Sequence, residues 1–136
     1  MNRFNDKGYY DPTPYEAITN IEREEKAFLP LAYVASPFSG DVEKNIEQAI
    51  KYCRFVSAAG FIPVAPHLLF PRFLNDNDSV ERELGLRYAL VLLGKCHELW
   101  VFGDTISEGI SREIARAKKR GMPIKYFNCN CEEVLS

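Results

Sequence analysis

One carboxylate in this sequence stands where covalent or acid–base chemistry is done on open α/β sheets. Glu98-Leu-Trp-Val-Phe-Gly103-Asp104 reads as a buried strand running into a loop. Thr105-Ile-Ser-Glu-Gly109 continues the loop, and Ile110-Ser-Arg-Glu113-Ile-Ala-Arg-Ala117 reads as a helix. At about 100° per residue, Ile114 and Ala117 fall within about 40° of Ile110 and form the core-facing stripe. Glu113 lies about 60° from Ile110, at the edge of that stripe. A carboxylate there, early in a helix and beside a strand end, is partly desolvated and close to the ligand crevice of such sheets. The plainer reading is a Glu placed to favour the positive end of the helix dipole.

Other residues of matching type surround that point in the predicted order of elements. Ser36-Pro37-Phe38-Ser39-Gly40-Asp41 joins a strand to a helix, and its hydroxyls, glycine and free N–H groups suit an anion, typically a phosphate. It has neither the Gly-Lys-Ser/Thr ending of a P-loop nor G-x-G-x-x-G, so an ordinary capped turn is the alternative. His67 follows a strand end and can hydrogen-bond a ligand or serve the structure. Gly103, Asp104, Ser107 and Gly109 line the loop before the Glu113 helix; Ser107 or Ser111 can cap that helix. Asp76, Asp78, Glu81 and Glu83 offer a second carboxylate.

Positioning these residues requires alternating strands and helices. Leu31–Ser36 is a short apolar run suited to a central strand. Val42, Ile46, Ala49, Ile50, Cys53 and Val56 keep helical spacing from an Asp41 cap to Gly60. Phe61–Pro66 is the second strand, and Pro63, lacking a donor, predicts an edge or strand-end position. Residues 67–77 form a loop, and a helix opened by Asp78 or Ser79 reaches about Gly94. The strand at 98–103, the helix at about 108–120 and a strand at Pro123–Phe127 complete the series. The fold class expected is α/β: a small Rossmann-like, flavodoxin-like parallel sheet of about four to five strands with helices on both faces. Residues 1–30 form an N-terminal arm and short helix, with a capping box at Thr13-Pro14-Tyr15-Glu16 and one apolar face through Tyr15, Ile18 and Ile21. Residues 31–128 form the domain, and 129–136 a tail.

Composition excludes several classes. The chain has 136 residues, 46% of them hydrophobic, which suits one domain with a real core. A net charge of −2 argues against general nucleic-acid binding. The basic run Arg116–Arg120 fits a helix C-terminus instead. No stretch is long and apolar enough for a membrane span, and no apolar signal core opens the chain, so a cytoplasmic location is expected. Four cysteines fit a reducing compartment; the lone Cys129-x-Cys131 falls short of a zinc ligand set, and no metal is expected.

The order of Tyr33-Val-Ala-Ser36-Pro-Phe-Ser-Gly40, Trp100-Val-Phe-Gly103, and Ser107-x5-Glu113-Ile-x-x-Ala117 ending in Gly121-Met-Pro123 resembles the nucleoside 2-deoxyribosyltransferase-like superfamily. The nearest likeness is to a DUF4406-like branch of phage and bacterial proteins of unknown function, over about residues 31–127. The resemblance implies that Glu113 is a nucleophile that attacks the anomeric carbon and displaces the base, leaving a glycosyl-enzyme ester. Water then completes hydrolysis, or a second base completes transfer. It also implies a sugar or 5'-phosphate contact at Ser36–Gly40, a catalytic-site tyrosine at Tyr33, no cofactor, a small-molecule nucleoside or nucleotide as partner, and a homodimer or higher homo-oligomer. Two positions depart from the pattern. The arginine that 5'-phosphate members carry in the first turn is replaced by Phe38 and Ser39, with Arg72 or Arg82 as substitutes. The general-acid Asp falls near Arg87 or Tyr88, with Glu83 one turn earlier as a stand-in. The alternative function is a non-catalytic nucleotide-binding or sensing module on the same fold.

Overall fold

The computed structural model describes residues 28–38 and 40–135. The N-terminal helix expected at about 13–26 and Ser39 lie outside the described residues. Five strands form one sheet: β1 (Leu31–Ala35), β2 (Ile62–Val64), β3 (Glu98–Phe102), β4 (Ile124–Phe127) and β5 (Glu133–Val134). The spatial order is β2-β1-β3-β4-β5. The first four strands are parallel, and β5 runs antiparallel to β4. This is the flavodoxin-like order, with its topological switch point between β1 and β3. β2 pairs with β1 alone, so Pro63 stands on an edge strand as expected.

The tail expected at 129–136 is instead a hairpin arm. Asn128 Oδ1 accepts from the N–H groups of Asn130 and Glu132 at 2.9 and 3.0 Å, which turns the chain back on β4. Tyr126 then pairs with Val134.

Period-two alternation in β1 and β3 sorts the core into two layers. Ala32, Val34, Trp100 and Phe102 face α1 (Val42–Ala58), whose Tyr52 and Val56 they cover. Tyr33, Ala35, Leu99 and Val101 face the other way, toward α2 (Ser79–Leu93) and α3 (Glu108–Lys119), which supply Leu93, Ile110 and Ala117. The first layer is aromatic: the Phe102 ring stacks on Tyr52 at 4.3 Å and on Phe127 at 4.9 Å. Each helix opens on the cap its sequence offers. Asp41 accepts from Lys44 N, Asp78 from Val80 N and Glu81 N, and Ser107 from Ile110 N. Of the two serines that could cap α3, Ser107 does so.

On α3 the buried stripe differs from the expected one. Ile110, Glu113 and Ala117 are its buried members, and Ile114 is half-buried. The carboxylate stands within the buried stripe, not at its edge, and lines a cavity.

Candidate active site

The cavity, about 280 Å³, lies on the α2/α3 side of the switch point. Its floor is made of buried residues: Tyr33 and Ser36 from β1 and its end, and Ile110 and Glu113 from α3. Pro66 and His67, in a short 3-10 turn after β2, close one wall. Phe38, Phe70, Leu74, Leu86 and Ala89 supply apolar walls. Exposed Asp76, Arg82 and Glu108 and half-buried Glu81 mark the mouth. A concave, largely apolar site with a few converging polar groups is the usual form of a small-molecule site.

Glu113 is the chemical centre of the floor. Its side chain is 8% exposed, and Oε2 is buried without a hydrogen-bond partner among the described residues. The Tyr33 hydroxyl stands beside the carboxylate on the cavity floor. Burial pushes the Glu113 pKa up to about 7, and the Tyr33 hydrogen bond offsets part of that rise. Burial and the adjacent carboxylate hold the Tyr33 phenol well above its ordinary value, so it stays a donor at neutral pH. Burying an unsatisfied carboxylate oxygen costs stability, and such costs concentrate at functional sites.

A second polar pair stands beside it. Ser36 Oγ and His67 Nε2 are 2.8 Å apart, and the ring tautomer sets which of them donates. Burial lowers the His67 pKa to about 4, so the imidazole is neutral near pH 7. The pair therefore presents hydrogen-bonding groups to the cavity without adding charge.

The structure gathers most of the sequence candidates and separates others. Tyr33, Ser36, Phe38, His67, Ser107, Gly109 and Glu113 line the cavity. Gly109 lets α3 approach α2 closely: a Cβ there would meet Leu86 Cδ2 at 3.3 Å. Pro37 and Gly103 line instead a smaller recess, about 190 Å³, on the α1 side with Lys44, Gln48 and Tyr52. Gly40 and Asp104 are exposed and line neither space. Glu83, the proposed stand-in acid, is also outside the cavity. It points to the exposed side of α2, where Arg112 binds it at 3.1 Å. The reason is helical phase: Glu81 and Arg82 lie on the cavity side of that turn, and Glu83 is one step further round. Of the two arginines that could replace the missing one, Arg82 lines the cavity. Arg72 is exposed and donates through Nε to Leu68 O at 3.1 Å. The residues that sequence reasoning missed are apolar, Phe70, Leu74, Leu86 and Ala89. For Phe70 the signal was the aromatic content of the 67–77 loop; Leu86 and Ala89 lie on α2.

Gly103 has a structural duty that only glycine meets well. Its φ is +98°, and an added Cβ would lie 3.4 Å from Pro37 Cδ. Gly103→Ala is expected to lower stability by about 1–2 kcal/mol. Urea denaturation, with an unchanged m-value, checks this.

Among the described residues no group of three or more His, Cys, Asp or Glu side chains comes together to hold a metal. None of the described helices is long and apolar enough to cross a membrane.

The fold and the cavity define a flavodoxin-order α/β domain with a buried carboxylate at its switch point. A family model described as "Domain of unknown function (DUF7768)" matches residues 30–127, and the chain belongs to that family. That designation differs from the DUF4406-like branch suggested by the motif order. Among solved structures, a 2-deoxyribosyltransferase from the psychrotolerant bacterium Bacillus psychrosaccharolyticus is similar, with a TM-score of 0.60 and 17% identity. The match covers 77% of this chain and 76% of that one, and it establishes a related fold. No curated protein matches.

Proposed function

We propose that this protein cleaves the N-glycosidic bond of a nucleoside or nucleotide, as an N-glycosidase or a 2-deoxyribosyltransferase. The observation that carries the reading is the buried, half-satisfied Glu113 carboxylate on the floor of a cavity at the switch point. The likeness in fold to a 2-deoxyribosyltransferase agrees with it.

In the proposed step, a Glu113 oxygen bonds to the anomeric carbon. The bond from that carbon to the base nitrogen breaks, and its electron pair leaves with the base. A proton for the departing base comes from water in the cavity, because Glu83 lies outside it. Water, or a second base, then attacks the anomeric carbon and frees the carboxylate. Tyr33 orients Glu113, and the Ser36–His67 pair receives sugar hydroxyls. The chemistry as written uses no metal or organic cofactor. A homodimer or larger assembly belongs to the same proposal: Val80, Tyr88 and Val91 leave apolar surface exposed on α2.

Incubation with a panel of ribo- and deoxynucleosides and their 5'-monophosphates, with and without an acceptor base, tests the reading. Free base released by wild type but not by Glu113→Ala establishes glycosyl chemistry, and the acceptor separates transfer from hydrolysis. No release across the panel defeats it.

Tyr33→Phe gives a second check. The Tyr33 hydrogen bond lowers the Glu113 pKa, so its loss raises that pKa further. The rising limb of the rate against pH, set by ionisation of Glu113, is expected to move to higher pH. The change is about one pH unit, with a loss of roughly fivefold at pH 7. A pH–rate profile of kcat/KM reads it.

A second reading has its own observation. Glu83 is bound to Arg112 away from the cavity, which removes the stand-in for the general-acid Asp of the superfamily pattern. A nucleotide-sensing module that binds without turnover fits that arrangement. Thermal stabilisation by a nucleotide, with no base released, would favour it.

A further inference from the structure

We infer that Asp76 and Glu81 form a charge filter at the cavity mouth, so that the site takes an uncharged nucleoside in preference to its 5'-phosphate. The inference rests on the proposed function and narrows its substrate class.

Charge around the cavity is lopsided. Asp76, Glu81, Glu108 and Glu113 line it, against Arg82 alone. Glu108 is paired with Arg112 at 3.4 Å, whereas Asp76, Glu81 and Arg82 have no ion-pair partner among the described residues. The mouth therefore carries an excess negative charge, and Glu113 adds another at the floor when it ionises. His67 adds none, because burial keeps it neutral. The β1–α1 turn, the other place a phosphate would be cradled, has no Lys or Arg between Ser36 and Asp41. The nearest cation after it, Lys44, lines the separate recess on the α1 side.

A phosphate monoester entering such a mouth meets like charge in a partly desolvated space. Like charges a few ångströms apart at a protein surface repel enough to cost about tenfold or more in affinity at low salt. The apolar walls and the neutral Ser36–His67 pair suit an uncharged base and sugar.

The test measures binding alone, in Glu113→Gln protein, by calorimetry with 2'-deoxynucleosides and their 5'-monophosphates. At low salt each nucleoside is expected to bind at least about tenfold more tightly than its monophosphate. Adding Asp76→Asn and Glu81→Gln to the Glu113→Gln protein should tighten monophosphate binding and leave nucleoside binding unchanged. High salt should narrow the gap in the same direction. Equal or tighter monophosphate binding overturns the filter. So does a gap that neither the two substitutions nor salt moves. Monophosphate binding lost selectively in Glu113→Gln/Arg82→Gln would also overturn it and make Arg82 a phosphate reader. If nucleosides bind as expected but wild type releases no base, the glycosidase reading fails and the filter stands. If neither ligand binds, both fail.

Discussion

Glu113→Gln is expected to abolish base release and to leave the protein more stable than wild type at pH 8. The loss of turnover follows from the chemistry. An amide cannot form the glycosyl ester, and removal of a nucleophile costs several orders of magnitude in rate. A fall of at least about 10⁴-fold in kcat is expected. The gain in stability follows from linkage. The folded-state pKa of Glu113, about 7, lies above the ordinary 4.5, so the native state binds the proton more tightly than the unfolded chain. Between those values stability falls as pH rises. Below about pH 4.5 both states are protonated and no penalty exists; above pH 7 the full penalty applies, on the order of 3 kcal/mol. A neutral amide escapes it. His67 works in the opposite sense: its folded value of about 4 lies below 6.5, so its contribution is present above pH 6.5 and lost as pH falls through 4. That term is common to both proteins and cancels in the difference. Chemical denaturation of the pair at pH 5 and pH 8 therefore isolates Glu113. A gap in stability that is large at pH 8 and small at pH 5 is the expected result. An equal gap at both would mean that burial does not hold the carboxyl in its acid form.

Phe102→Ala is expected to be the most damaging single truncation in the core. Phe102 is fully buried at the end of β3 and stacks between Tyr52 and Phe127, with Phe55 edge-on at 6.1 Å. Removing the ring leaves a cavity bounded by rigid aromatic faces from α1 and β4, which cannot collapse into it. A loss of about 3–5 kcal/mol is expected. For a domain of marginal stability that is a large share of the total. The melting temperature from calorimetry checks it, and Phe102→Leu should lose clearly less, because most of the volume is kept. The same substitution bears on function. Gly103 follows directly and turns the chain toward the α3 cap, so loosening β3 at its carboxyl end also loosens the segment that carries Glu113.

The periodic parts of the fold were legible because periodicity is local. Alternation in β3 and the spacing of Val42, Ala49 and Val56 require no knowledge of partners. Pro63 marks the edge strand through a donor it lacks, and Asp41, Asp78 and Ser107 mark helix starts through bonds to their own next turn. β5 was not legible. Glu133-Val134 is too short to show a period, and its pairing depends on a turn built by Asn128. The site was legible in part. Ser36 and His67 follow strand ends, where β-α order alone brings loops together, and Tyr33 and Glu113 stand on the strand and helix beside them. Glu83 shows the limit. Among four nearby acids, the side of α2 that packs over the cavity and a cross-helix bond from Arg112 decided which faced it, and neither can be read one helix at a time.

By itself, the sequence determined the α/β order and the carboxylate early in the helix after β3. These are consequences of short-range pattern and chain connectivity. The tertiary structure alone decided that Glu113 sits buried with an unpartnered oxygen, that Tyr33 stands beside it, and that Asp76, Glu81 and Arg82 share its cavity. Those facts depend on how α2 and the turns after β2 pack over α3. Packing fixes the distances and desolvation that turn a residue type into a chemical group.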